Sequence, residues 1–189
     1  MKKILSIIIL GLIIASKGMT YEEANYEVVK KNKIYEIRKY LDRLAIETEI
    51  SNQGSSFRKL FNYISGDNKN NEEIKMTTPV TQVEKKGNMT MQFYLPSRFN
   101  KKNIPSPSNP DVKILNIKGG YYAVIKYSGR ASDKNCIKHK SILENELKKD
   151  DISILSAPVK ATYDGPFTLP MNRRNEAMFE INIKNKGEI

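Results

Sequence analysis

The sequence predicts an α+β fold: a strongly curved, barrel-like antiparallel sheet flanked by two helices and built from two pseudo-symmetric halves. Three observations predict it. Segments alternating apolar and polar residues recur along the chain, as half-buried strands do. Two other segments carry apolar stripes at helical spacing. The second half repeats the plan of the first, with Pro79 matched by Pro166 and Met91 by Met178, each pair 87 residues apart. Antiparallel strands with few helices need those helices to cover one sheet face.

The elements follow in order. Tyr35–Tyr40 and Leu44–Ile50 alternate with period 2 and read as strands. Residues 51–56 are loop, and Ser55 or Ser56 can cap a helix by accepting a bond from a free N–H. Phe57, Leu60, Phe61 and Ile64 then recur at i, i+3, i+4 and i+7, and Gly66 supplies the stop. Met76–Val83 is extended but interrupted by Pro79, which cannot donate a ladder bond. Met89–Leu95 is another alternating strand, and the four prolines between Pro96 and Asp111 mark a surface connection.

In the second half, Lys113–Ile117 and Tyr121–Tyr127 read as strands joined across Gly119-Gly120. Asn135–Lys149 is helical, with Cys136, His139, Leu143 and Leu147 on one stripe. Val159–Tyr163 is a strand ended by Gly165-Pro166, and Met178–Ile183 is the last strand.

Composition limits the function classes. The 189 residues are about one domain's worth, and 39% hydrophobic with 28% charged residues describes a globular chain. The net charge of +11 invites acidic partners, but Asp and Glu are interspersed among the lysines and no run of five like charges occurs. The charge therefore gives no reason to expect nucleic acid as a partner. The single Cys136 excludes an internal disulfide, and with only His139 beside it a zinc site would need mostly carboxylates. There is no Gly-x-Ser-x-Gly elbow and no Gly-rich phosphate loop, so no catalytic constellation is expected.

The N-terminus is a separate piece. Lys2 and Lys3 precede the apolar run Ile4–Ala15, followed by Ser16-Lys17-Gly18. Residues 1–18 have the order of a secretory signal, and the run is short of the roughly 20 apolar residues a spanning helix needs. The expectation is export, to the periplasm or medium in a bacterium; the rival reading is an uncleaved membrane anchor. Cleavage after Gly18 removes three lysines and lowers the charge from +11 to +8.

The residues Tyr35-Glu36-Ile37-Arg38-Lys39-Tyr40, the helix Phe57–Gly66 and the stretch Ile74-Lys75-Met76-Thr77-Thr78-Pro79-Val80 carry a resemblance. So do Tyr127-Ser128-Gly129, Tyr163-Asp164-Gly165-Pro166 and Arg173-Arg174-Asn175-Glu176, in that order. Over Tyr26–Ile183 the chain resembles the SOUL haem-binding protein family. The resemblance implies one domain, a distorted antiparallel β-barrel with two long helices in two similar halves. It also implies non-enzymatic binding of haem or a related tetrapyrrole in an apolar cleft. The chain looks as well like the effector-binding domains of drug-responsive regulators, although no DNA-binding helical domain is expected here.

Haem is an apolar disc with two propionates, so a host needs an apolar cleft with basic groups at its mouth. Phe57, Leu60, Phe61 and Ile64 are candidates for one wall, although such a stripe serves equally as core. Met76 and the Met89–Met91 segment offer soft surface. Arg58, Lys59, Arg173 and Arg174 are the candidate propionate partners. The resemblance places family basic contacts at positions held here by Gly54, Asn62 and Leu169, leaving Lys59 or Arg58 as substitutes; a different apolar small molecule or a partner peptide is equally consistent. His139 is the one imidazole available as an iron ligand, against the plainer reading of a packing residue. Glu176 is expected to form a structural ion pair with Arg173 or Arg174.

Overall fold

A computed structural model describes residues 21–183. The expected signal segment, residues 1–18, lies outside the described residues. The fold is α+β, a curled antiparallel half-barrel carrying two helices. Its strands are β1 (Glu22–Glu23), β2 (Tyr26–Lys31), β3 (Glu36–Tyr40), β4 (Arg43–Glu49), β5 (Thr77–Thr78), β6 (Val80–Lys85) and β7 (Asn88–Tyr94). They continue with β8 (Lys113–Ile117), β9 (Gly120–Tyr127), β10 (Ser153–Ile154), β11 (Val159–Thr162) and β12 (Asn175–Asn182). Helix α1 spans Gln53–Ile64 and α2 spans Asp133–Lys149. Among the described residues no helix is long and apolar enough to cross a membrane.

The main sheet runs β2-β3-β9-β12-β11-β6-β7-β4-β8, with β10 beside β12, while β1 and β5 form a separate parallel pair. The strands β8 and β9 are joined in sequence as expected but do not pair with each other: β8 pairs with β4, and β9 with β3 and β12. Six strand-to-strand steps separate β3 from β4, about 29 Å in a flat sheet. Only Leu41 and Asp42 link them, a reach of about 11 Å at most. The sheet must therefore curl until its flanks meet.

The two short links, β3–β4 and β8–β9, cross where they meet. Asp42 accepts hydrogen bonds from the Gly119 N–H at 2.8 Å, Asn116 at 2.8 Å and Lys118 at 3.2 Å. These bonds, the Gly119 amide first, pull the Asp42 carboxyl down to about 2. Gly119 is required there because a Cβ would lie 2.5 Å from the Tyr40 carbonyl oxygen.

Helix α1 starts one turn before its first aromatic. Asn52, rather than Ser55 or Ser56, is the cap, accepting from the N–H groups of Gly54 and Ser55 at 2.9 and 3.3 Å. Buried Ser56 instead donates to the Glu49 carbonyl. The helix stops as expected at Gly66, whose φ of 108° favours glycine. At 12 residues α1 is the shorter helix; α2 has 17.

Alternation along each strand separates two packed layers. On one face Ala123, Ile125, Ala177 and Phe179 meet Cys136, Leu143 and Leu147 of α2, while Ile46, Met91 and Phe93 meet Leu60, Tyr63 and Ile64 of α1. On the other, inside the curl, Tyr40, Tyr122, Val124, Ala161 and Met178 pack together.

The interior also holds a buried ionic cluster. Arg38 and Glu176 have fully buried side chains, and two guanidinium nitrogens of Arg38 reach the carboxylate at 3.0 and 3.2 Å. Arg174 Nε donates to the same carboxylate at 3.1 Å, and its Nη2 stands 3.0 Å away, off line for a hydrogen bond. The Tyr163 hydroxyl donates to it at 2.7 Å, and burial followed by the Glu176 charge holds that phenol's pKa far above its ordinary value. The expected pairing of Glu176 with Arg174 is present. Arg38, from the opposite end of the chain, is the partner that sequence reasoning missed.

Glu36 extends the cluster, receiving Arg38 at 2.8 Å and Lys31 at 2.9 Å. Burial opposes its ionisation, but the bonds from Lys31 and Arg38 outweigh it and bring the carboxyl from 4.5 to about 2. A depressed carboxyl pKa stabilises the fold fully above the unfolded value, and this contribution disappears as pH falls toward the folded value. Thermal melts of the protein and Glu36→Gln are therefore expected to differ by a constant amount from pH 7 to about 5. Between about 4.5 and 2 the two should converge. A gap that persists unchanged at pH 2 would contradict this assignment.

Candidate functional site

A groove of about 570 Å³ runs between α1 and the β11 end of the sheet. The helix supplies one wall because its apolar stripe is split. Leu60 and Ile64, at the centre of the stripe, are buried against the sheet, whereas Phe57 and Phe61 sit on its shoulder, 40% and 46% exposed. Residues four apart lie one above the other, and these two rings stack with centroids 6.0 Å apart. Phe57 also meets Phe93 edge-on at 5.1 Å.

The floor comes from side chains on the helix-facing side of three strands: Val80 and Gln82 of β6, Met91 of β7, and Lys160 and Thr162 of β11. Met76 lines it as well, and the far wall is Tyr163–Pro166. Beyond this wall the loop 165–172 presents Phe167, Leu169 and Met171 to solvent.

Lys160 is the one cationic side chain lining the groove among the described residues. It is nearly buried, and its Nζ donates to Asp133 Oδ1 at 2.7 Å, from the first turn of α2. Sequence reasoning missed it because a lysine between Val159 and Ala161 on an alternating strand reads as solvent-facing. The only signal was its opposite parity to those two apolar neighbours, and that does not say what lies above it.

The sequence-derived candidates divide accordingly. Phe57, Phe61 and Met76 converge on the groove, and Leu60 and Ile64 pack beneath it in the core. The four basic candidates lie outside the lining. Arg58 is exposed, and Lys59 pairs with Asp111 at 2.7 Å. Arg173 braces the loop by donating to the carbonyls of Thr168 and Pro166. Arg174 is engaged by Glu176 and Glu23, with its guanidinium 3.6 Å over the Tyr163 ring.

His139 also lies outside the lining. Its ring stacks on Tyr127 with centroids 4.1 Å apart, and since a carbonyl only accepts, Nδ1–H donates to the Asn135 oxygen at 2.8 Å. This is the packing role weighed against iron ligation. Among the described residues no cluster of three or more His, Cys, Asp or Glu side chains is placed to hold a metal ion.

The model of the SOUL heme-binding protein family matches residues 21–180, almost the whole described chain. The chain belongs to the SOUL haem-binding protein family. Among curated protein sequences none matches significantly. Solved structures share the fold at low identity. The EcmrR C-terminal domain has a TM-score of 0.60 at 12% identity, covering 83% of this SOUL chain and 98% of that domain. A hydrolase from Listeria innocua has a TM-score of 0.55 at 8% identity, covering 82% of this chain and 94% of that one. In an EcmrR–DNA complex the SOUL chain spans 56% of the EcmrR chain, with a TM-score of 0.57 at 12% identity. At these identities the likeness is one of fold.

Proposed function

We propose that the groove binds haem or a related tetrapyrrole non-covalently and that the protein acts as an exported carrier or buffer, without chemistry of its own. One observation carries the reading. Among the described residues, an apolar groove walled by Phe57 and Phe61 is lined by a single, nearly buried ammonium, that of Lys160. Its volume is within the usual range for small-molecule sites. An aromatic wall and the Met76 and Met91 thioethers suit a flat apolar face. Lys160 would hold a propionate, with its position fixed by Asp133. Membership of a haem-binding family supports the same ligand class.

The order β4-α1-β6-β7 followed by β9-α2-β11-β12 supports reading the scaffold as two related halves. One cation for two propionates favours keeping a second reading, another apolar carboxylated molecule in the same groove.

Titration with haemin tests the proposal. A saturable, red-shifted Soret band at micromolar protein is the expected result, and a spectrum of free haemin alone would overturn it. His139→Ala should leave that band unchanged, because the ring is stacked on Tyr127 away from the groove. Loss of the band in this variant, with its melting curve intact, would instead make His139 the ligand. Export is tested by N-terminal sequencing of the protein recovered outside the cytoplasm.

A further inference from the structure

A second cleft, of about 350 Å³, opens at the end of the curl where the β3–β4 and β8–β9 links cross. Leu41, Leu44, Tyr94, Leu95 and Phe99 give it an apolar lining, and Arg43, the first residue of β4, is set into it. The Arg43 guanidinium is sandwiched between the Tyr40 and Tyr94 rings, 4.4 Å from each centroid. Its Nε is buried with no hydrogen-bond partner, and it pairs with no carboxylate among the described residues.

The other buried and half-buried arginines differ. Arg38 and Arg174 are held by carboxylates and Arg173 by carbonyls. The acids at the rim of this cleft are engaged elsewhere: Glu22 by the Ser97 N–H at 2.7 Å, Glu23 by Arg174, and Asp42 by the crossing link.

With two aromatic rings 4.4 Å from its centre and its Nε buried, the guanidinium presents its terminal N–H groups to an acceptor in the cleft. These groups match a planar carboxylate in a two-pronged way. The apolar lining suits a hydrocarbon body, and three rim carboxylates against the two lining cations, Arg43 and Lys101, oppose a polyanion. We infer that this cleft is a binding site for a small apolar monocarboxylate, anchored by Arg43. The inference is independent of what the groove between α1 and β11 binds.

Benzoate is the probe, and the Arg43 Nε–Hε resonance of the ¹⁵N-labelled protein is the readout. The expected result is a saturable shift with benzoate and at least tenfold weaker half-saturation with neutral benzamide. In Arg43→Gln, which lacks that resonance, binding is followed at the backbone amides of Leu41 and Leu44, and their saturable shift with benzoate should be abolished. Leu41→Trp fills the mouth from an exposed position while keeping Arg43, and should abolish it too. This second variant covers the case in which Arg43→Gln does not fold. No saturable shift, equal binding of benzamide, or benzoate binding that survives in Leu41→Trp would each overturn the inference.

Discussion

Glu176→Gln is expected to destabilise the protein by about 3–5 kcal/mol, the usual cost of leaving one partner of a buried ion pair behind. Arg38 is fully buried, and Glu176 is the carboxylate that takes two of its nitrogens. Glu36 retains a hold on the other side of the guanidinium at 2.8 Å, which keeps the loss near the lower end of that range. For a chain of this size the melting temperature should fall by on the order of 10 °C.

The double change Arg38→Met with Glu176→Met removes both buried charges and should recover part of the stability, the remainder being lost because Arg174 and the Tyr163 hydroxyl lose Glu176 and Glu36 loses Arg38. Thermal and urea melts of the three variants measure this. A Glu176→Gln protein melting within about 2 °C of the parent would show that Glu36 alone suffices for Arg38.

Lys160→Met is expected to weaken haemin binding by about 10- to 100-fold, equivalent to the roughly 1.5–3 kcal/mol of a hydrogen bond to a charged group. Met preserves the length and apolar packing of the stem, so the change isolates the ammonium. The Lys160–Asp133 bond joins β11 to the first turn of α2, but Asp133 is largely exposed. Its loss should therefore lower the melting temperature only slightly. Soret titrations of the parent, Lys160→Met and Lys160→Arg give the comparison, with Lys160→Arg retaining most of the affinity. Unchanged affinity in Lys160→Met would place the propionate contact elsewhere.

These two residues mark the limit of what could be read along the chain. Strands β3, β4, β7, β9 and β11 follow from alternation, because a half-buried strand writes its period into consecutive residues. The α1 stripe and the Gly66 stop follow from local sterics in the same way. Edge strand β2 escaped notice, since Val28 and Val29 are adjacent, both exposed, and followed by a register shift in the pairing with β3. The helix start was placed too late, because Asn52 caps a first turn that carries no apolar residue.

The groove was half legible. Phe57, Phe61 and Met76 follow from the sequence, whereas of the basic candidates Arg58 is exposed outside the lining and Lys59, Arg173 and Arg174 make other contacts. A helical stripe tells which side chains are apolar, but not which of them the sheet covers. That decision depends on how far α1 rolls over β4 and β7.

What the sequence by itself determined is therefore local and periodic: which segments are strands, which are helices, and which family they compose. The tertiary structure alone decided who meets whom. The curl brings β3 within two residues of β4, sends β8 and β9 to separate neighbours, and carries Arg38 to Glu176 across 138 positions. The packing of α1 beside β11 turns Lys160 from an ordinary strand lysine into the one cation lining an apolar groove among the described residues. The physical reason is that burial and charge pairing depend on contacts set by strand order and by the packing of the helices on the sheet, and those contacts have no period along the chain.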